Sequence, residues 1–155
     1  MAYSPDSSIA GAAITGFTAP TMTLIGDGAS SGLTRRHVVS AYGGTVGTAR
    51  ANSVAYPFNV EFRKPTVVNR VPAANPLTGV RPSIPTNSWV MNIQKGGDAV
   101  SGSPVVARMR VYMDVPAGME SFTPDDLKAM LSFGAGLLVE EMADIFDSLA
   151  TGTLP

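Results

Sequence analysis

The sequence contains no cysteine and a single histidine, His37. Without thiols there is no disulfide framework, no thiolate nucleophile and no Cys-based zinc or iron–sulfur site. One imidazole cannot build a multi-histidine metal centre, so no metal or cofactor is expected. Charge is scarce too: 15% of the 155 residues are Asp, Glu, Lys or Arg, against about 25% in an average soluble protein. No Asn-x-Ser/Thr sequon is present. No apolar run approaches the ~20 residues of a membrane span, and Met1-Ala2-Tyr3-Ser4-Pro5-Asp6 lacks the basic start of a secretory leader. The expectation is a soluble protein made in a cytoplasm, with no membrane partner.

Turn formers and apolar residues are plentiful: 16 Gly, 12 Pro and 45% hydrophobic residues. The length suits one domain, 1–155, able to bury a core without a metal or disulfides. Low charge with many turn residues points to many short strands and to a surface partly covered by other subunits. The net charge of −1 hides a division. Residues 1–113 hold ten Lys/Arg against Asp6, Asp27, Glu61 and Asp98, whereas residues 114–155 hold Lys128 against eight acids. The basic part is strand-like and the acidic part helix-like, so a layered fold would have one basic and one acidic face. Ordinary solubilising charge is the other reading.

Strand chemistry starts at Thr15–Ile25, turns at Gly26–Gly32 and resumes over Leu33–Tyr42 until Gly43-Gly44 breaks it. Neither glycine cluster matches a phosphate loop, because both lead into strand-like sequence. From Pro57, residues Phe58, Val60 and Phe62 alternate with Asn59, Glu61 and Arg63 until Pro65 disturbs the register. A proline-rich extended connection, Pro72–Pro85, follows. Trp89, Met91 and Ile93 then alternate with Ser88, Val90, Asn92 and Gln94, and Met109, Val111 and Met113 with Arg108, Arg110 and Tyr112. Between these two strands, Lys95–Pro104 reads as a flexible loop too long for a tight hairpin.

After Asp114-Val115-Pro116 the period becomes helical. Thr123 is the expected N-cap, with Pro124 at the first helical position and Asp125 and Asp126 at the positive end of the dipole. Leu127, Met130, Leu131, Gly134 and Leu138 form one apolar stripe, and Met142, Ile145, Phe146 and Leu149 a second. A kink or break is expected at Gly134 and Gly136, and Gly152 stops the last helix. The fold class is therefore α+β: an N-terminal β-hairpin and antiparallel meander over about 12–116, then two helices over 123–151.

No catalytic constellation emerges. His37 sits in a strand-like stretch beside Arg35 and Arg36 with no GxSxG elbow, and the adjacent acids Asp125/Asp126 and Glu140/Glu141 diverge on a helix. The chain is read as not an enzyme. The row Arg108, Arg110, Tyr112, with Ser88, Asn92 and Gln94 on the neighbouring strand, suits single-stranded RNA. Guanidinium groups pair with phosphates, amides read base edges and a tyrosine stacks on an unpaired base. A solvated face with cross-strand polar pairs is the alternative.

The run Arg108–Pro116, then Thr123–Leu131, then an apolar helix to the C-terminus, resembles the coat proteins of single-stranded RNA bacteriophages (levivirus type). The order of elements extends the likeness over nearly the whole chain. Lys64–Pro72 looks like the family's central strand, Ser88–Gln94 like the next, and Lys95–Pro104 like the variable loop before the last. The resemblance implies an intertwined homodimer with one continuous sheet, helices of each subunit over the partner through Leu127, Met130, Leu131, Met142 and Phe146. It further implies an icosahedral shell around single-stranded RNA, a translational-repressor role through an RNA hairpin, and a virion protein assembled in the bacterial host cytoplasm. By strand parity the implied RNA-contacting residues are Thr66 and Arg70, then Ser88, Asn92 and Gln94, then Arg108, Arg110 and Tyr112. Two departures stand out: arginines at 108 and 110 replace the Tyr and Asn of several relatives, and the Pro72–Pro85 connection is long. A non-RNA-binding, self-polymerising subunit of tail-tube or pilus type is the competing reading.

Overall fold

Period-two alternation is resolved by pairing every strand with the next one in the chain. In the computed structural model, which describes residues 5–28 and 31–153, six antiparallel strands form one sheet in sequence order. They are β1 (Ser8–Ala10), β2 (Phe17–Gly26), β3 (Thr34–Val46), β4 (Phe58–Arg63), β5 (Thr86–Val100) and β6 (Ser103–Pro116). Three helices follow, α1 (Met119–Phe122), α2 (Pro124–Glu140) and α3 (Met142–Thr151). This is the meander followed by helices that the pattern predicts, with a short first strand and a one-turn α1 in addition. Met1–Ser4, and Ala29 and Ser30 of the first glycine cluster, lie outside the described residues.

Four local expectations are corrected. Gly43-Gly44 does not break β3. Thr18 pairs with Thr45 and Thr21 with Gly43, so Ala19 and Pro20 face Gly44 alone, which makes a β-bulge. Gly44 has φ 68, and a Cβ there would strike the Ala19 carbonyl oxygen. The glycine thus lets the strand continue past the bulge, with Pro20 fully buried in it.

Lys95–Pro104 is not a loose loop. β5 and β6 stay paired out to Val100↔Ser103, around a turn at Ser101-Gly102 with Gly102 at φ 77. Side chains brace this hairpin. Asp98 accepts hydrogen bonds from Arg50 (2.5 Å) and from the Tyr56 hydroxyl (2.9 Å), and Lys95 donates to the Arg50 carbonyl (2.8 Å). A Cβ on Gly96 would run into the Tyr56 backbone and the Pro57 ring, so a glycine is needed where Tyr56 and Pro57 lie against β5.

The central strand is Phe58–Arg63, not Lys64–Pro72. Lys64 N still donates to the Leu33 carbonyl (3.0 Å), but Pro65 has no N–H to continue the ladder. The segment beyond it is instead held by buried Asn87, whose amide bonds the Asn69 N–H (2.7 Å) and carbonyl (3.1 Å).

Finally, α2 runs unbroken through Gly134 and Gly136, and the interruption falls at Glu141. A glycine costs a helix about 1 kcal/mol but removes no hydrogen bond. At the junction, Glu140, Glu141 and Asp144 repel one another at i,i+3 and i,i+4 spacing, beside the negative end of α2. Thr123 is the N-cap residue of α2 as expected, although its side chain makes no capping bond, and Gly152 caps α3 in the left-handed conformation.

Neither α2 nor α3 approaches any strand among the described residues; among the elements α2 meets α1 and α3, and α3 meets α2. Buried apolar side chains are accordingly few: Leu24, Val39 and Ala117, with Pro20. Met130, Leu131, Phe133, Phe146 and Leu149 are exposed, whereas Leu127 and Met142 are half-buried. The chain exposes 10756 Å². A folded monomer of its mass exposes about 7,400 Å², so about 3,300 Å² of surface is in excess of a self-contained domain.

Candidate nucleic-acid interface

Cross-strand partners in an antiparallel sheet share a face, so the pairing register sorts the side chains. One face is apolar: Phe58, Val60 and Phe62 of β4, Trp89, Met91 and Ile93 of β5, and Met109, Val111 and Met113 of β6. Phe62 and Trp89 stack there with ring centroids 5.8 Å apart. Arg35 and His37 share this face, opposite Phe62 and Val60.

The other face is polar and forms two clear rows. Arg36, Glu61, Asn92 and Arg110 stand side by side across β3 to β6, and Thr34, Arg63, Val90 and Tyr112 make the next row. Asn59, Gln94 and Arg108 continue the pattern towards the hairpin. The fold thus brings together six of the eight sequence-derived RNA positions: Ser88, Asn92, Gln94, Arg108, Arg110 and Tyr112. Ser88 opposes Asp114 and donates to its carboxylate, which places an acid at that end of the face. Thr66 and Arg70 are not brought there by strand parity, because the segment after Pro65 belongs to no strand.

Three residues of this face escaped sequence reasoning as site members: Arg36, Glu61 and Arg63. Alternation had already put Glu61 and Arg63 on one side of their strand. Only the pairing Glu61↔Asn92 says that this side continues the Arg110 side.

Glu61, Arg63, Val90, Asn92, Arg110 and Tyr112 together line a concavity of about 330 Å³. Tyr112 is 62% exposed, leaving its ring available for stacking. Asn92 Oδ1 is buried and has no hydrogen-bond partner among the described residues, a cost that a ligand donor would remove. Arg36 pairs with Asp27 at 3.2 Å, which tempers its charge at the sheet's far side. Among the described residues no group of three or more His, Asp or Glu is disposed to hold a metal. Among the described residues no helix is long and apolar enough to cross a membrane.

Titration is perturbed away from this face, at the hairpin brace. Burial pushes the Lys95 ammonium below its ordinary value, with the Arg50 charge adding to the effect. The hydrogen bond to Asp98, followed by burial, holds the Tyr56 phenol above 10.0.

No protein-family model matches the chain, and neither does any of the curated proteins. Among solved structures it is similar to the virus-like particle of bacteriophage ESE020, with a TM-score of 0.88 and 39% identity over 99% of this chain and 100% of that one. The agreement covers the sheet, the hairpins and the helices alike. A likeness of that identity and extent means that this chain belongs to the bacteriophage coat-protein family and is a capsid protein.

Proposed function

We propose that the chain is a non-catalytic coat protein of a single-stranded RNA bacteriophage. It dimerises, assembles into an icosahedral shell with the polar sheet face against the packaged RNA, and binds an RNA hairpin as translational repressor and packaging signal in the host cytoplasm. The observation that carries this reading is that α2 and α3 pack on no strand of their own chain while displaying apolar faces.

Two surfaces invite a second copy. β6 is a 14-residue edge strand paired only with β5, and a long free edge is a template for another strand. The helices' apolar faces match the half-exposed apolar face of the sheet. Joining β6 to β6 and laying each helix pair over the partner's apolar face would cover both. An excess of about 3,300 Å² per chain, or about 6,600 Å² for two chains, is more than enough for an obligate interface, which buries roughly 2,000–5,000 Å² in total over both partners. That arrangement leaves the Arg108/Arg110 face open on one side and the acids of α2 and α3 on the other, in keeping with RNA inside and solvent outside.

The decisive measurement is size-exclusion chromatography with light scattering and an A260/A280 ratio on the recombinant protein, with negative-stain microscopy of the leading peak. Round megadalton particles with a nucleic-acid-dominated ratio are expected. Filaments, or a monomer indifferent to added RNA, would instead favour a self-polymerising subunit without an RNA role.

A further inference from the structure

We infer that the concavity between β4, β5 and β6 takes one unpaired guanine of the bound RNA. The inference rests on the reading of the polar sheet face as an RNA surface and adds to it a base preference. Its basis is the chemistry that the register assembles at one spot.

Two acceptors stand next to each other on the row Glu61–Asn92–Arg110. Asn92 Oδ1 is buried and lacks a donor, and Glu61 forms no ion pair among the described residues, although Arg63 lies on its own strand and Arg110 two strands across. Val90 supplies an apolar floor and Tyr112 a ring on the next row, and the space measures about 330 Å³, the smaller end of small-molecule sites.

The four bases differ in what they offer such a site. Only guanine presents two adjacent donors, N1–H and the 2-amino group, which one carboxylate can accept together. Adenine and cytosine would turn a ring-nitrogen lone pair towards Glu61, and uracil a single donor flanked by two carbonyls. Guanine also carries O6 and N7 acceptors, which suit an arginine such as Arg110. A carboxylate on a phosphate-binding face weakens unspecific binding, so its presence among Arg63, Arg108 and Arg110 has a rationale if it reads a base.

The test uses the full-length protein freed of co-purified RNA and fluorescence anisotropy at fixed moderate salt. The probes are four labelled nine-nucleotide RNAs, all uridine apart from a central guanosine, inosine, adenosine or uridine. The guanosine RNA should bind about tenfold more tightly than the adenosine and uridine RNAs. Inosine keeps N1–H but lacks the 2-amino group and should fall between. Glu61→Gln should lose most of the guanosine preference and gain affinity for the all-uridine RNA, because a negative charge facing phosphates is gone. Equal wild-type affinity for guanosine and adenosine RNAs overturns the inference while leaving RNA binding intact, and an undiminished preference in Glu61→Gln overturns it as well. Absence of binding to all four RNAs overturns it together with the RNA reading. The inosine comparison needs no variant, so the outcome does not hang on how Glu61→Gln folds.

Discussion

Arg108 and Arg110 stand two residues apart on β6, pointing to the same face and opposite Gln94 and Asn92. Neither makes an ion pair among the described residues, so both guanidinium groups are available for phosphates. Arg108→Ala and Arg110→Ala should each weaken single-stranded RNA binding and flatten the log K against log salt plot by about one unit of slope. Dimers should remain intact. Filter binding across a salt series checks this, and unchanged binding would remove these residues from the interface. Tyr56 makes a separate prediction. Its phenol donates to Asp98 at 2.9 Å, and this contact raises its pKa above 10.0. A raised folded-state value means that the bond's stabilisation is complete below pH 10.0 and is lost as pH climbs through the folded value. Alkaline titration at 295 nm should show two late-ionising tyrosines, Tyr42, raised by burial, and Tyr56, of which Tyr56→Phe removes one.

At the scale of elements, the bulge in β2 and the helix faces carry the sharpest consequences. Gly44 combines φ 68 with a close approach of the Ala19 carbonyl. Gly44→Ala should therefore destabilise the protein by about 1–3 kcal/mol, read by urea denaturation at fixed protein concentration. The helices respond differently. Met130 and Phe146 are 49% and 61% exposed on their own chain and lie outside its buried core, so an acid there disturbs little internal packing. Met130→Asp and Phe146→Asp should instead prevent dimerisation, giving monomers or insoluble protein on size exclusion. Soluble native-like dimers from both variants would contradict helix burial against a partner. Alternation and capping residues made β4, the Ser88–Gln94 part of β5, the Val106–Asp114 part of β6 and the start of α2 legible in advance. The bulge and the hairpin tip were not legible, because each depends on what lies opposite a glycine rather than on the glycine's neighbours in sequence.

For the whole molecule, the large exposed area and the small set of buried apolar side chains lead to the prediction that folding and association are one process. Thermal or urea midpoints should rise with protein concentration, as mass action requires when the folded form is the associated one. A midpoint constant over a hundredfold concentration range would mean that the chain is stable alone. The charge division between residues 1–113 and 114–155 acquires a spatial meaning at this scale. Arg36, Arg63, Arg108 and Arg110 stand on the sheet's polar face, and most of the acids of 114–155 lie along helices that stand clear of it. On the proposed function, the two faces of the sheet have different partners, RNA on one and protein on the other.

Composition and periodicity alone determined the class of the molecule: strands followed by helices, no thiol or multi-histidine chemistry, and a segregation of charge. Side-chain parity is a local property of an extended chain, so Arg108, Arg110 and Tyr112 could be grouped without knowing the fold. The tertiary structure decided what parity cannot carry, namely which strands are neighbours and in which register. It moved the central strand from Lys64–Pro72 to Phe58–Arg63, because Pro65 cannot donate to a ladder, and with it replaced Thr66 and Arg70 by Glu61 and Arg63 at the polar face. It also separated α2 and α3 from their own sheet. An amphipathic stripe states only that a helix will be covered. Which surface covers it depends on the path of the chain after Pro116, and that path leaves the apolar stripes clear of the chain's own sheet.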